Sequence, residues 1–462
     1  MATRGAAKAK RSVATTATSA PSLGGNAEVR LRRVLRVVVI GYLFVAGLYV
    51  TTIPRGGGPD ETAHVRYVQW LAESHSLPVF DRQNPGSNYE FHQPPLYYLV
   101  SLPAYLIASS PAEKDQALRF VNAIIGIALL YLTFAFGRTI APEGPWVAVA
   151  AAAVVAFLPM HLALVSSAGN DVLTEVFVAA AILIMVRYLR SAAQYRSQPD
   201  DRAPGVSASL LAGLMIGLGL LTKSIAVLLF PTVWLGLAFA ARGPNGYEWR
   251  RLARDLAAAT AVALAIAGWW LVRNQALYGD LLAQKAFLVA FRDRPSPQVM
   301  MSKYHLLPAQ YVIMTIGWTI ASAVGVFGER FAFFPYQVYL GFAAKALAEA
   351  ISFTRFLLRQ RLADWQLQSW LMSALLAALL LASFVRFNLS FFQAQARYLF
   401  PALPPAAVAL CVGIEGLAPK GKGGIALIIG VALVLALATV GFFSWIVPQF
   451  ETVRPAILGA QR

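Results

Sequence analysis

The feature that most limits how this chain can fold is its succession of apolar runs, from Val34 almost to the C-terminus. Eleven of them approach the roughly 20 residues a membrane span needs: 34–54, 119–138, 145–166, 171–190, 208–222, 225–241, 253–273, 335–355, 368–387, 398–417 and 424–446. In hydrocarbon each backbone polar group must be bonded within its own segment, so such runs are expected to be helices. With 58% apolar and 13% charged residues, the chain reads as an all-α polytopic membrane protein with no soluble domain and no internal repeat. Residues 1–33 carry seven Lys/Arg and one acid, Glu28, and read as a disordered basic cytoplasmic tail. The run Val34–Ile53 is too long for a signal-peptide core and no small-residue cleavage site follows it, so it is expected to be an uncleaved first span.

The net charge of +17 is spread over short loops between apolar runs. That pattern fits topology signals rather than a nucleic-acid face. Arg30, Arg32, Arg33 and Arg36 place the N-terminus inside. The loops 187–207 (Arg187, Arg190, Arg196, Arg202) and 242–254 (Arg242, Arg250, Arg251, Arg254) should also lie inside. So should Arg355, Arg359 and Arg361, and Lys420 with Lys422. These constraints agree if 94–110, flanked and interrupted by proline, is a juxtamembrane or re-entrant helix in one outer loop, 55–118. The stretch 309–328 is placed likewise within a second outer loop, 274–334. The chain then divides into a transmembrane module over 34–273, that second loop, C-terminal helices over 335–446 and an outer tail, 447–462. Asp60, Asn170-Asp171, Lys223, Arg273-Asn274 and Gln395-Ala396-Arg397-Tyr398 all fall on the outer side. The single cysteine, Cys411, lies in an apolar run and reads as a packing residue. It excludes an intramolecular disulfide.

Only 22 of the 462 residues are acidic, so the adjacent pair Asp60-Glu61 just past the first span stands out. Charge beside lipid is costly and usually functional. Pro59-Asp60-Glu61 also reads as a helix start, where carboxylates meet the positive end of the helix dipole. Ordinary capping explains the pair as well as a site does. His92-Gln93-Pro94-Pro95-Leu96-Tyr97-Tyr98 reads as a rigid turn into an interfacial segment, its tyrosines at headgroup level. Gly169-Asn170-Asp171 is either an Asx turn or cap, or a second carboxylate facing Asp60. Trp269, Trp270 and Trp318 are either sugar-stacking residues or part of an interfacial belt.

Taken in order, Pro59-Asp60-Glu61-x-x-His64, Gln93-Pro94-Pro95-Leu96-Tyr97-Tyr98, Arg119-Phe120-Val121-Asn122, Asn170-Asp171 and Gly219-Leu220-Leu221-Thr222-Lys223 form the first half of a pattern. Trp269-Trp270-Leu271-Val272-Arg273-Asn274, Tyr278-Gly279-Asp280 and Gln395-Ala396-Arg397-Tyr398-Leu399-Phe400-Pro401 complete it. The set resembles polyprenol-phosphate-dependent glycosyltransferases of the GT-C fold, in particular bacterial relatives of protein O-mannosyltransferases and of the lipid A aminoarabinose transferase. The resemblance covers about 34–417 and implies a catalytic acid at Asp60, acting as general base on the acceptor. Glu61 would be the second acid of that pair, and Asp171 an acidic position near the same site. It also implies that Arg119 matches an arginine after the first outer loop, and Arg397 one that can face the lipid phosphate. Gln93 departs from relatives that carry lysine before the proline pair, and Lys223 or Arg397 would have to replace that contact.

Transfer from a sugar polyprenyl phosphate needs a carboxylate base, cations for the departing phosphate and a groove for the lipid. The candidates are Asp60, Glu61 and Asp171 for catalysis, and Arg119, Lys223, Arg273 and Arg397 for the donor phosphate. His64, His92, Tyr97, Asn170, Asn274 and Tyr398 are candidate substrate contacts. One base with direct displacement predicts inversion at the anomeric carbon; retention would need a covalent nucleophile. No essential cofactor or metal is expected, although Asp60, Glu61 and Asp171 would suit Mg or Mn. The expected partners are a polyprenyl-phosphate-linked sugar donor, a glycan, lipid or protein acceptor and the bilayer, with no nucleic acid. The expected location is the plasma (inner) membrane, with the active site on its outer face. The rival readings are a GT-C ligase or polymerase using a diphosphate-linked donor, and a transporter or flippase.

Overall fold

The computed structural model describes residues 25–198, 203–328 and 332–451. Helix α1 (Gly25–Thr52) leads to a first connecting segment, which holds α2 (Glu61–Ser74) and α3 (Leu96–Ile107). Then follow α4 (Pro111–Ile140), α5 (Pro145–Phe157), α6 (Pro159–Val165), α7 (Asp171–Ser197), α8 (Ser207–Leu220), α9 (Leu229–Ala240) and α10 (Trp249–Tyr278). The segment after α10 holds α11 (Gln284–Ala290), α12 (Pro297–Lys303) and α13 (Pro308–Val324). The chain continues through α14 (Tyr336–Arg359), α15 (Asp364–Asn388), α16 (Leu403–Leu417) and α17 (Gly423–Ala436). Two short antiparallel strand pairs join Arg242–Gly243 to Gly246–Tyr247 and Val326–Phe327 to Ala332–Phe333. Local sequence sets several boundaries. At α4, Ser110 accepts from the Glu113 N–H while Glu113 returns to the Ser110 N–H, with Pro111 at the first helical position.

Among the described residues, seven helices are long and apolar enough to cross a membrane, or nine if each of two bent pairs is one span. The expected count of eleven spans is therefore not confirmed by length and composition. The span expected at 145–166 is the pair α5 and α6, bent by 65° at Pro159, where proline removes a helical hydrogen bond. The segments Ser207–Leu220 and Ser224–Ala240 are shorter apolar helices. Helix α14 is long but carries Lys345, Glu349, Arg355 and Arg359, and does not qualify on composition. The stretch 309–328 is the second arm of α12 and α13, bent by 103°. Helix α3 has 12 residues, about 18 Å at 1.5 Å per residue, against roughly 30 Å of hydrocarbon. It is too short to cross unaided. The first helix begins at Gly25 rather than Val34, so part of the expected disordered tail is helical, with Arg32 paired to Glu28 at 3.0 Å. Residues 1–24 of that tail and 452–462 of the expected outer tail lie outside the described residues.

Helix α7 runs through the bundle against α4, α8, α9 and α15. Its 27 residues span about 40 Å, with Asp171 at one end and Arg187, Arg190 and Arg196 at the other. The Arg196 guanidinium reaches the Arg242 carbonyl, so two of the basic loops meet at the end opposite Asp171. Helix α8 lies along α10 so closely that a Cβ on Gly213 would stand 2.3 Å from the Ala259 carbonyl oxygen and 2.9 Å from its Cα. Gly213→Ala should therefore destabilise the protein by about 1–3 kcal/mol. Thermal unfolding in detergent reads this as a lowered midpoint, and an unchanged midpoint would mean the two helices separate freely.

The first connecting segment, between α1 and α4, builds a second apolar core. Tyr67, Val68, Leu71, Phe91, Tyr97, Tyr98 and Leu118 are buried together, with the Tyr67 and Tyr98 rings stacked at 3.6 Å between centroids. The expectation that Tyr97 and Tyr98 sit at headgroup level is corrected: both are fully buried. The double proline turns them inward onto α2.

Candidate active site

The segment entering α2 sets the first acid. Asp60 is the N-cap residue but adopts φ 56°, and its side chain makes no capping hydrogen bond. The left-handed region is uncommon for a residue with a Cβ and is found where surrounding structure enforces it. A Cβ on the preceding Gly58 would fall 2.2 Å from the Ser167 hydroxyl, so glycine lets the turn seat against the loop before α7. The Asp60 carboxylate instead accepts from the Tyr89 hydroxyl at 2.8 Å and pairs with the Arg397 guanidinium.

Arg397 joins the pieces. It sits on a 3-10 turn, Ala396–Ala402, ahead of α16. One Nη binds Asp60, the other binds Asp171 at 3.1 Å, and Nε donates to Gln395 Oε1 at 2.7 Å. The guanidinium also lies 4.9 Å from the Tyr398 ring centre. Asp171 in turn takes the Lys223 ammonium. Residues far apart in the chain thus form an alternating chain of charge, Asp60, Arg397, Asp171 and Lys223. Such buried charges are tolerable only when paired and hydrogen-bonded. Burial pushes the Asp60 carboxyl up, but Arg397, together with His64 and the Tyr89 hydroxyl, outweighs it and holds the group well below the usual carboxylate range.

Glu61 points elsewhere. Both its oxygens bind Arg119 at 2.7 Å, and it accepts from the Ala168 and Gly58 backbone N–H groups. Arg119 spends its other donors on the carbonyls of Val50, Ile53 and Pro54. Both side chains are only 2% exposed. This bidentate pair ties the end of α1 to α2 and α4.

The Asp60–Arg397 pair stands between two clefts. The larger, about 640 Å³ and open to solvent, includes Ser167, Arg294, Trp318, Phe327 and Gln395 in its lining. The smaller, about 270 Å³, is lined by His64, Glu90, Gln93, Lys223, Phe287, Phe291 and Tyr398. Both share Asp60 and Arg397. Burial lowers the His64 imidazole, countered by Glu90 and Asp60, and His64 Nδ1 lies 2.9 Å from the Tyr98 hydroxyl. Burial raises the Glu90 carboxyl, opposed chiefly by His64.

The remaining candidates lie around this centre. Asn170 is the N-cap of α7 without capping it; its amide donates to Gln93 Oε1 and the Thr222 carbonyl. The Tyr97 hydroxyl accepts from the Gly169 N–H at 2.9 Å. Arg273 and Asn274 are not brought to Asp60. Arg273 donates to the Pro78 carbonyl at 2.7 Å over the Trp270 ring, and Asn274 donates to the Leu281 carbonyl. Arg273 fastens the far part of the segment between α1 and α4 to α10, and Asn274 holds the turn that follows α10. Tyr89, Glu90 and Arg294 escaped the sequence reading. An acid as scarce as Glu90, two residues before His92, was the available signal. Among the described residues no group of three or more His, Cys, Asp or Glu is placed to hold a metal ion.

His92 donates to the Tyr89 carbonyl at 2.7 Å, and its other nitrogen is buried without a partner. Burial holds its pKa at about 4 rather than 6.5, against the hydrogen bond to Tyr89. The unfolded chain therefore binds a proton between these values that the native state does not. Stability should fall as pH drops from about 6.5 to about 4, by at most about 1.4 kcal/mol per unit. Thermal unfolding across that range should show a shallower slope in His92→Asn, and an equal slope would assign the acid sensitivity to other groups.

Residues 90–279 match the family model described as Dolichyl-phosphate-mannose-protein mannosyltransferase, a segment that holds Asp171 and Lys223 and stops short of Arg397. No curated protein matches the chain by sequence. Among solved structures, ArnT from Cupriavidus metallidurans, bound to undecaprenyl phosphate, is similar with a TM-score of 0.55 and 16% identity, over 89% of this chain and 64% of that one. The oligosaccharyltransferase of Archaeoglobus fulgidus, tethered with an acceptor peptide, is similar with a TM-score of 0.54 and 15% identity, over 87% of this chain and 54% of that one. The chain therefore spans less than two thirds of the length of either protein. The fold is of the GT-C class, in a multi-pass membrane protein.

Proposed function

We propose that the protein is a membrane glycosyltransferase that moves a sugar from a polyprenyl-phosphate donor to an acceptor at the outer face of the plasma membrane. The observation that carries this reading is Arg397 bridging Asp60 and Asp171, with Lys223 on the second acid. Two cations beside a carboxylate, at the end of the bundle opposite the basic loops 187–207 and 242–254, suit a phosphate leaving group held at a bilayer surface. The ArnT structure, which contains undecaprenyl phosphate, supports a lipid-phosphate donor, and the mannosyltransferase family match over 90–279 supports sugar transfer.

With Arg397 bound, Asp60 is too weak a base. The donor phosphate would compete for Arg397 and Lys223, and once Asp60 lost that partner its burial would raise its proton affinity. Asp60 would then take the proton from the acceptor hydroxyl or amine as that nucleophile attacks the anomeric carbon. The carbon–oxygen bond to the phosphate breaks and polyprenyl phosphate leaves, paired with Arg397 and Lys223. Glu61 and Arg119 would act as positioning residues that hold the Asp60 turn.

Arg294 on the larger cleft would suit a second phosphate, which makes a diphosphate-linked donor the second reading. The test supplies purified protein with radiolabelled polyprenyl-phosphate hexose, or with the diphosphate-linked form, and a membrane extract as acceptor. Transfer from the monophosphate alone is expected. Transfer only from the diphosphate favours the second reading, and transfer from neither overturns both.

A further inference from the structure

We infer that Glu90 is a specificity-determining residue, accepting hydrogen bonds in the smaller cleft from the hydroxyls of the sugar that the lipid phosphate carries. This rests on the glycosyltransferase reading above and deepens it.

Glu90 lies on the 3-10 turn Gly86–His92 and is 3% exposed. Its Oε2 is buried with no hydrogen-bond partner among the described residues. Leaving a buried carboxylate oxygen unpaired is costly. The other charged groups lining the same cleft are already engaged: Asp60 by Arg397 and Tyr89, Lys223 by Asp171. Glu90 is the acid there with an acceptor to spare, and it faces the space beside Asp60.

The lining suits a sugar ring rather than a lipid tail. Asp60, Glu90, Gln93 and His64 provide polar atoms, while Phe287, Phe291 and Tyr398 provide apolar ring surfaces. A hexose has the same division, with hydroxyls at its rim and C–H groups on its faces. Arg397 and Lys223 stand at the same cleft, so a phosphate held by them would place its sugar against Glu90. Few placed polar groups within an otherwise apolar pocket are what fixes ligand orientation.

The experiment measures binding to the purified full-length protein of bare polyprenyl phosphate and of a panel of polyprenyl-phosphate sugars, carrying mannose, glucose, galactose or arabinose. Wild type should bind at least one sugar-bearing lipid more tightly than the bare lipid. Glu90→Gln should lose that difference by about 10- to 100-fold, as expected for a hydrogen bond to a charged group, while bare polyprenyl phosphate binds unchanged. Glu90→Ala should behave the same way if it folds. Equal weakening of both lipids in Glu90→Gln assigns Glu90 to structure and overturns the inference, as does an unchanged preference. If wild type binds bare lipid and every sugar-bearing lipid equally, the sugar contact fails while lipid-phosphate recognition stands. If wild type binds none of them, the glycosyltransferase reading itself fails.

Discussion

Asp60→Asn should lower kcat by about 10²- to 10⁴-fold, the usual contribution of a positioned general base, with little change in KM for the lipid donor. Asparagine keeps the shape and the hydrogen bond from Tyr89 but cannot take a proton. Asp60 is singled out because its side chain does not cap α2, although it occupies the cap position. Its carboxylate goes instead to Arg397 and Tyr89 beside two clefts. Arg397→Lys is expected to be impaired as well, since one ammonium cannot span Asp60 and Asp171 as a planar guanidinium does. Steady-state release of polyprenyl phosphate reads both variants. Full turnover in Asp60→Asn would remove Asp60 from the chemistry.

Arg119→Met should cost about 3–5 kcal/mol of stability, the cost of leaving a buried partner charge unpaired. Glu61 would lose both of its 2.7 Å contacts, and the carbonyls of Val50, Ile53 and Pro54 would lose their donors. Arg119→Lys should recover little, because an ammonium cannot reproduce five N–H donors in a fixed fork. Glu61→Gln combined with Arg119→Met should recover part of the loss by removing the unpaired charge. Thermal unfolding in detergent separates these outcomes. A wild-type midpoint for Arg119→Met would mean that the pair does not hold α1 to α2 and α4.

Much of the site was legible in the sequence because membrane topology converts basic loops into sidedness. That argument placed Asp60, Asp171, Lys223 and Arg397 at one end, and they are in contact there. Sidedness alone does not say which residues touch. Arg273 and Asn274 share that end, yet Arg273 binds Pro78 in the far part of the segment between α1 and α4, and Asn274 binds Leu281 in the turn after α10. Tyr97 and Tyr98 carry the composition of an interfacial anchor, but the segment between α1 and α4 is long enough to build its own core and buries them. The count of eleven spans is not confirmed for a related reason. Apolar content does not distinguish a straight crossing from the bend at Pro159 or from the short segment Ser207–Leu220. Glu90 stayed hidden because its neighbours in the cleft, Lys223, Phe287 and Tyr398, come from distant parts of the chain.

The central claim is a single displacement at Asp60 from a lipid phosphate, and the configuration of the new glycosidic bond tests it most directly. A donor of defined β configuration, whichever polyprenyl-phosphate hexose the protein turns over, should give an α-linked product by NMR, with one polyprenyl phosphate released per sugar transferred. A β-linked product, or transfer without release of polyprenyl phosphate, would contradict it.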